Sequence, residues 1–216
     1  MIWERHKKPR NKFEDMIIRK LYKIESAHIV RNCYTKRCKF NVHGHSYKIE
    51  VFIQAVKHLD AADMVLDFNV LGDEVKSFID SFDHSIMLWH KDSSEYKKDM
   101  MKHSQRVIIM SMNPSAESMA LIFLYAISRI LDATKLDNGE DNIVVSSVRV
   151  HETDTGYAEA FPEDIHTMLS PSDVTTFMEF SDAIRSEWKV DLREVINNPE
   201  SYPLMKNAGI PSVSHA

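Results

Sequence analysis

The sequence predicts an α+β fold built on an antiparallel sheet, on three observations. Apolar residues alternate with a period of two near the start of the chain and again near residue 150. Between these stretches, apolar spacings of three and four mark two helices. The resulting order is strand, strand, helix, helix, strand, strand, and a parallel α/β sheet would instead alternate strand with helix.

The elements follow in chain order. Residues 1–15, "MIWERHKKPRNKFED", are basic, polar and aperiodic, and read as an N-terminal arm before a main domain at 16–161. In "MIIRKLYKIESAHI", Ile18, Lys20, Tyr22 and Ile24 alternate with Ile17, Arg19, Leu21 and Lys23, which predicts a strand. Residues 31–42 carry charge and both cysteines and read as a loop. A second strand follows the histidines after it. Tyr47, Ile49, Val51 and Ile53 share one face, with Lys48, Glu50 and Gln54 on the other. It closes a hairpin-like pair with the first. In "DFNVLGDEVKSFID", Phe68, Leu71, Val75 and Phe78 fall on one helical face behind Asp67 as N-cap. Residues 90–105 are polar and read as an insertion or a loose helix, the insertion taken as about 90–112, and Val107–Met110 reads as a short strand. Asn113 and Pro114 read as an N-cap and a first-turn proline. The helix they open buries Ala120, Phe123, Leu124, Ile127, Ile130 and Leu131. "NIVVSSVRVHE" is a strand, and Tyr157–Phe161 is its short partner. Five of the seven prolines lie beyond residue 160 and set off a C-terminal helical extension, 162–216, with helices near 172–186 and 190–197.

Composition narrows the function classes. With 44% hydrophobic and 27% charged residues, the chain has the make-up of a soluble globular protein. A net charge of −5 advertises no surface for nucleic acid. The longest apolar run, Met119 to Ile127, is shorter than the about 20 residues that cross a bilayer, so no membrane partner is expected. Two cysteines, Cys33 and Cys38, make no disulfide framework, and no signal peptide precedes them, so a cytoplasmic location is expected.

The chemistry gathers around "CKFNVHGHS", residues 38–46. If the second strand already runs through His43, then His43 and His45 face one way and Gly44 lies opposite, where close approach is possible. His28 ends the first strand, and antiparallel pairing brings it beside them. Three neutral imidazoles suit zinc, with a fourth position left for water or substrate. Cys38 stands open to two readings: a thiol activated beside a dication, or a fourth ligand that closes a structural site. Cys33 rivals it in each. Asp83 and His84 can act as a proton-carrying pair, and Glu152, at a strand end, can take two N–H groups from a planar heterocycle. No Gly-rich dinucleotide loop is present.

Taken in order, "SAH", "C…HGHSY", "MVLDF", "DH", "NPSAES" and "HETDTGY" resemble the 6-pyruvoyltetrahydropterin synthase / 6-carboxytetrahydropterin synthase family over roughly residues 17–160. The resemblance implies that His28, His43 and His45 are zinc ligands, Cys38 the catalytic thiol, and Asp83 with His84 the acid/base pair. It implies that Glu152 anchors the pterin ring and that Ser115 and Glu117 lie near that ring, with Ala116 lacking a hydroxyl some members carry. It implies the tunnelling fold, a four-stranded antiparallel sheet with two helices on one face. Sheets then join into a trimeric barrel, and two trimers stack as a homohexamer with shared active sites. The stretch Lys39 to Val42, between cysteine and HGH, is intermediate between the family's bacterial and animal branches, and "MVLDF" looks like the bacterial one.

The reaction so implied turns 7,8-dihydroneopterin triphosphate into 6-carboxy-5,6,7,8-tetrahydropterin, releasing acetaldehyde and triphosphate, on the route to 7-deazaguanine nucleosides such as queuosine. That makes the chain a zinc-dependent carbon–carbon lyase. One alternative is a 6-pyruvoyltetrahydropterin synthase of biopterin biosynthesis. Another, of a different class, is a non-catalytic zinc-stabilised domain with Cys38 as fourth ligand.

Overall fold

The long alternating stretches become the two longest strands. In the computed structural model, which describes residues 16–140, 142–168 and 178–205, β1 spans Ile17–His28 and β2 spans His43–Ala55. They pair antiparallel from Ile17↔Gln54 to His28↔His43. On the core face Tyr22, Ile24, Tyr47, Ile49, Val51 and Ile53 are buried. β6 (Ile143–Thr153) pairs antiparallel with β2, and β7 (Gly156–Ala160) with β6. The arm at 1–15 and residues 206–216 lie outside the described residues.

The sheet is larger than the four antiparallel strands expected. It has seven, with β3 (Ser85–Trp89), β4 (Val107–Met110) and β8 (Met178–Phe180) joining the four above in the order β7-β6-β2-β1-β3-β4-β8, and it is mixed. β3 lies parallel to β1, and β4 lies parallel to β3. α3 (Ser94–His103), capped by the Ser93 side chain, makes the crossover between them. A parallel connection needs such a crossover, which accounts for the helix between β3 and β4. β3 escaped prediction because its residues 85–88 are all buried, so it shows no alternation.

The helices also depart locally from expectation. The loop at 31–42 contains a short helix, α1 (Lys36–Phe40). The helix expected from Phe68 onward is a 3-10 turn at Val70–Gly72 followed by α2 (Glu74–Asp80). Leu71, Val75 and Phe78 are buried there, but Phe68 is exposed, with the Lys20 ammonium over its ring. Asp67 is not the N-cap of either: Asn69 precedes the 3-10 turn and Asp73 precedes α2, and the Asp67 carboxylate accepts the Asn69 N–H at 2.8 Å in the turn before them. α4 (Ala116–Ala133) is capped by Ser115, not by Asn113. All six of its predicted core residues are buried.

α4 packs across β6 and β7, and α2 packs on β1 and α4. The described part of the tail covers the remaining side of α4. α7 (Leu192–Asn197) buries Leu192, Val195 and Ile196 there, and Arg129 of α4 donates from Nε to the Ile196 carbonyl at 3.0 Å. Each such buried side chain contributes about 1.5–3 kcal/mol. α5 (Pro162–Met168) precedes this region. Short strands β5 (Thr134–Lys135) and β9 (Leu204–Met205) pair parallel beside it. The helix expected over 172–186 is instead a strand, β8 (Met178–Phe180), pairing with β4, and one turn of helix, α6 (Asp182–Arg185). Residues 172–177 of that expectation lie outside the described residues.

Candidate metal centre and substrate cavity

The register of β1 and β2 sets three imidazoles side by side. His28 pairs with His43, and Ser26 pairs with His45. Directly paired residues share a face, so all three rings project from the core face, in line with Tyr47. Gly44 falls on the opposite face. A Cβ there would stand 3.1 Å from the Ser26 carbonyl oxygen, so the close approach at this glycine is that of β1's own backbone.

The ligand atoms of His28, His43 and His45 all lie within 4.8 Å of one another. His28 is fully buried. Burial lowers its pKa to about 4, against the raising effect of its hydrogen bond to Pro114, and His43 and His45 lower it further. Burial also lowers the pKa of His45, although Glu152 pulls the other way. Both shifts favour the neutral ring, which is the form that binds metal.

Backbone acceptors decide which nitrogens are bare. His28 Nδ1 lies 2.7 Å from the Pro114 carbonyl oxygen, and His43 Nδ1 lies 3.0 Å from that of Asn41. A carbonyl oxygen only accepts, so each Nδ1 carries the hydrogen. In a neutral ring the lone pair is then on Nε2. The Nε2 atoms of His28 and His43 face each other at 3.1 Å. His45 Nε2 is buried with no hydrogen-bond partner. The Tyr47 hydroxyl lies beside the His28 ring, 3.2 Å from Nδ1 and 3.4 Å from Nε2. An orphaned buried nitrogen next to two facing ones is costly unless a cation satisfies them, so the set fits a metal ion.

Beside the triad lies a cavity of about 340 Å³, whose wall includes Cys33, Cys38, Ser115, Glu117 and Glu152. Four expected site residues therefore meet, together with Cys33, the rival to Cys38. Glu152 Oε1 lies 3.5 Å from His28 Nε2 and 3.7 Å from His45 Nε2, joining triad and cavity within one chain. Cys38 sits in α1, and its carbonyl accepts the Val30 N–H at 3.2 Å. Its sulfur is not among the converging ligand atoms. The Cys33 thiol donates to the Thr35 carbonyl at 3.4 Å. Ser115 Oγ accepts the Ser118 N–H at 3.4 Å, so this residue both caps α4 and lines the cavity.

Residues 17–163 match the model of the 6-pyruvoyl tetrahydropterin synthase family. The chain belongs to this family. A 6-carboxy-5,6,7,8-tetrahydropterin synthase of Helicobacter pylori strain J99 is 45% identical over 174 residues, which is 80% of this chain and 86% of that protein. One of Rickettsia felis is 34% identical over 128 residues, 58% of this chain and 86% of that protein. The fold is similar to the crystal structure of an uncharacterized protein from Wolinella succinogenes, with a TM-score of 0.55 and 19% identity, over 68% of this chain and 98% of that one. The Helicobacter match is longer than the stretch 17–163, so it takes in sequence beyond the family core.

In this tetrahydropterin synthase family member, Asp83 and His84 stand apart from the cysteine-lined cavity. His84 borders a separate shallow hollow, beside Glu25, Gly44, His45 and Ser46. Asp83 Oδ2 lies 2.8 Å from His84 Nδ1, and Asp83 Oδ1 accepts the Glu25 N–H at 2.7 Å. Burial alone would raise the Asp83 pKa, but the Glu25 and His84 hydrogen bonds outweigh it and the pKa is lowered. His84 has φ of 51°, a left-handed conformation that is uncommon outside glycine. Its N–H donates to the Glu25 carbonyl at 2.6 Å, which helps to fix that conformation. Sequence reasoning missed Pro114 and Tyr47 as neighbours of the histidines. A carbonyl acceptor leaves no trace in the residue type, and Tyr47 reads as one more core position of β2.

Proposed function

We propose that the chain is a zinc-dependent 6-carboxy-5,6,7,8-tetrahydropterin synthase. It converts 7,8-dihydroneopterin triphosphate and one water into 6-carboxy-5,6,7,8-tetrahydropterin, acetaldehyde and triphosphate, in the cytoplasm, on the queuosine-type 7-deazaguanine route. The observation that carries this reading is the convergence of three imidazole nitrogens beside a cavity lined by Cys38 and Glu152. The Helicobacter relatives carry the name of this activity over 86% of their length, which supports the substrate class. Zinc is the metal we assign. Three neutral imidazole donors that leave a further position for water or substrate make a donor set that would suit a catalytic zinc ion.

When bound, zinc would supply a Lewis-acid charge that acidifies a hydroxyl and the C–H beside it, as it lowers the pKa of bound water to about 7. The chain's own groups do the rest. His28, His43 and His45 hold the ion and keep its full charge, since all three are neutral donors. Glu152 accepts ring N–H groups of the pterin, with Ser115 and Glu117 on the same wall. Cys38 carries protons on one face of the substrate side chain, and His84, oriented by Asp83, returns them on the other. The working form is a trimer-based homo-oligomer, with a hexamer as its full assembly. Exposed Ile17 and Leu21, on the sheet face away from the helices, give such an assembly apolar surface to cover.

Incubation with 7,8-dihydroneopterin triphosphate tests the proposal. Acetaldehyde and 6-carboxytetrahydropterin are the expected products. Formation of 6-pyruvoyltetrahydropterin without acetaldehyde would move the chain to the biopterin branch. A zinc-loaded chain that leaves the substrate intact would favour the non-catalytic reading.

A further inference from the structure

We infer that Asn113 is a positioning residue for the metal centre, holding the Pro114 carbonyl where it fixes the His28 tautomer; this rests on reading the three histidines as zinc ligands. The Asn113 amide clasps both backbone groups of one distant residue. Its Oδ1 accepts the Arg31 N–H at 3.0 Å, and its Nδ2 donates to the Arg31 carbonyl. A primary amide offers a donor and an acceptor side by side, matching a backbone C=O and N–H at once.

The clasp closes a small ring of contacts. Arg31 lies three residues beyond His28, and Pro114 follows Asn113 directly. The Pro114 carbonyl then returns to His28 Nδ1 at 2.7 Å. Proline has no N–H of its own to anchor it, so its carbonyl takes its direction from its neighbours. On one side stands the clasped Asn113. On the other stands Ser115, whose N–H donates to the Asn113 carbonyl at 2.8 Å. Without the clasp, the segment before α4 is no longer pinned to the end of β1. The His28 Nδ1–H then loses a fixed acceptor, and Nε2 loses its defined role as the bare nitrogen. Partners that orient a ligating histidine typically carry about 10- to 100-fold of metal affinity.

Asn142 provides a matched control. Its Oδ1 accepts the N–H groups of Val56, Lys57 and His58 just beyond the other end of β2. It too is a side-chain clasp on backbone, but far along the strand from the histidines. The test titrates metal-free wild type, Asn113→Ala, Asn113→Asp and Asn142→Ala with zinc against a competing chelator, and records the visible spectrum of each cobalt(II) form. Asn113→Ala should bind zinc about 10- to 100-fold more weakly and show an altered cobalt spectrum. Asn113→Asp keeps the acceptor and loses the donor, so it should fall between. Asn142→Ala should melt earlier yet match wild type in zinc affinity and spectrum. Wild-type affinity and spectrum in Asn113→Ala would overturn the inference while leaving the zinc site standing. If Asn113→Ala fails to fold, wild-type affinity in Asn113→Asp would overturn it equally. A wild-type chain that takes up no zinc would remove the reading of the histidines, and the inference with it.

Discussion

Replacing His45 by alanine should remove zinc binding and all turnover while leaving the metal-free fold almost untouched. His45 separates metal binding from structure better than the other two histidines do. The His28 ring donates to Pro114 and touches Tyr47, and His43 donates to Asn41, so either substitution also costs structural contacts. His45 Nε2 has no hydrogen-bond partner to lose. Its removal also takes one bare nitrogen out of a crowded set. The melting temperature of the metal-free variant should therefore stay within the 2–4 °C that about 1 kcal/mol shifts a domain of this size. With zinc the two chains should diverge. A ligand at about 1,000 times its Kd stabilises the folded state by about 4 kcal/mol, so wild type should melt many degrees higher in zinc than without it. His45→Ala should gain almost nothing, because two neutral imidazoles hold zinc poorly. Elemental analysis of the purified variant checks the same point. An equal zinc-induced rise in both proteins would remove His45 from the metal centre.

Legibility in the sequence followed the physics of each element. β1 and β2 were readable because one face is buried and the other is not, so alternation appears in the residues themselves. The pairing of His28 with His43 could be anticipated for the same reason, since both sit where the alternating stretches meet. β3 was not readable, because residues 85–88 are buried whichever way they point. With it went the parallel half of the sheet. Asn113 looked like a cap because asparagine before proline often is one. The structure gives that task to Ser115 and uses the asparagine on Arg31, 82 positions away, a contact no local pattern reveals. The site was legible as residue types in order. Its division was not, since nothing in the sequence puts Cys38 and Glu152 on one cavity and His84 on a different hollow.

That division leads to the second large effect. Cys38→Ala and His84→Ala should each lose at least about 100-fold in turnover, the lower range for a group that transfers protons in the transition state. Both should keep zinc, as neither residue is among the converging ligand atoms. Cys33→Ala should be nearly silent, since its thiol hydrogen is already given to the Thr35 carbonyl. The informative sample is a mixture of the two inactive variants, dissociated and reassembled. The His84 side chain is 75% exposed in the single chain, too open for proton transfer sheltered from water. If a neighbouring subunit covers it, one chain supplies the thiol and zinc, and the next supplies the acid/base pair. Random assembly of equal amounts then gives intact sites at about a quarter of positions, because each subunit is the correct one half the time. The mixture should regain about that share of wild-type turnover. Mixed oligomers seen by native mass spectrometry with no recovered activity would sink the shared site. Loss of turnover in Cys33→Ala with a silent Cys38→Ala would instead transfer the thiol's role to Cys33, which faces the same cavity.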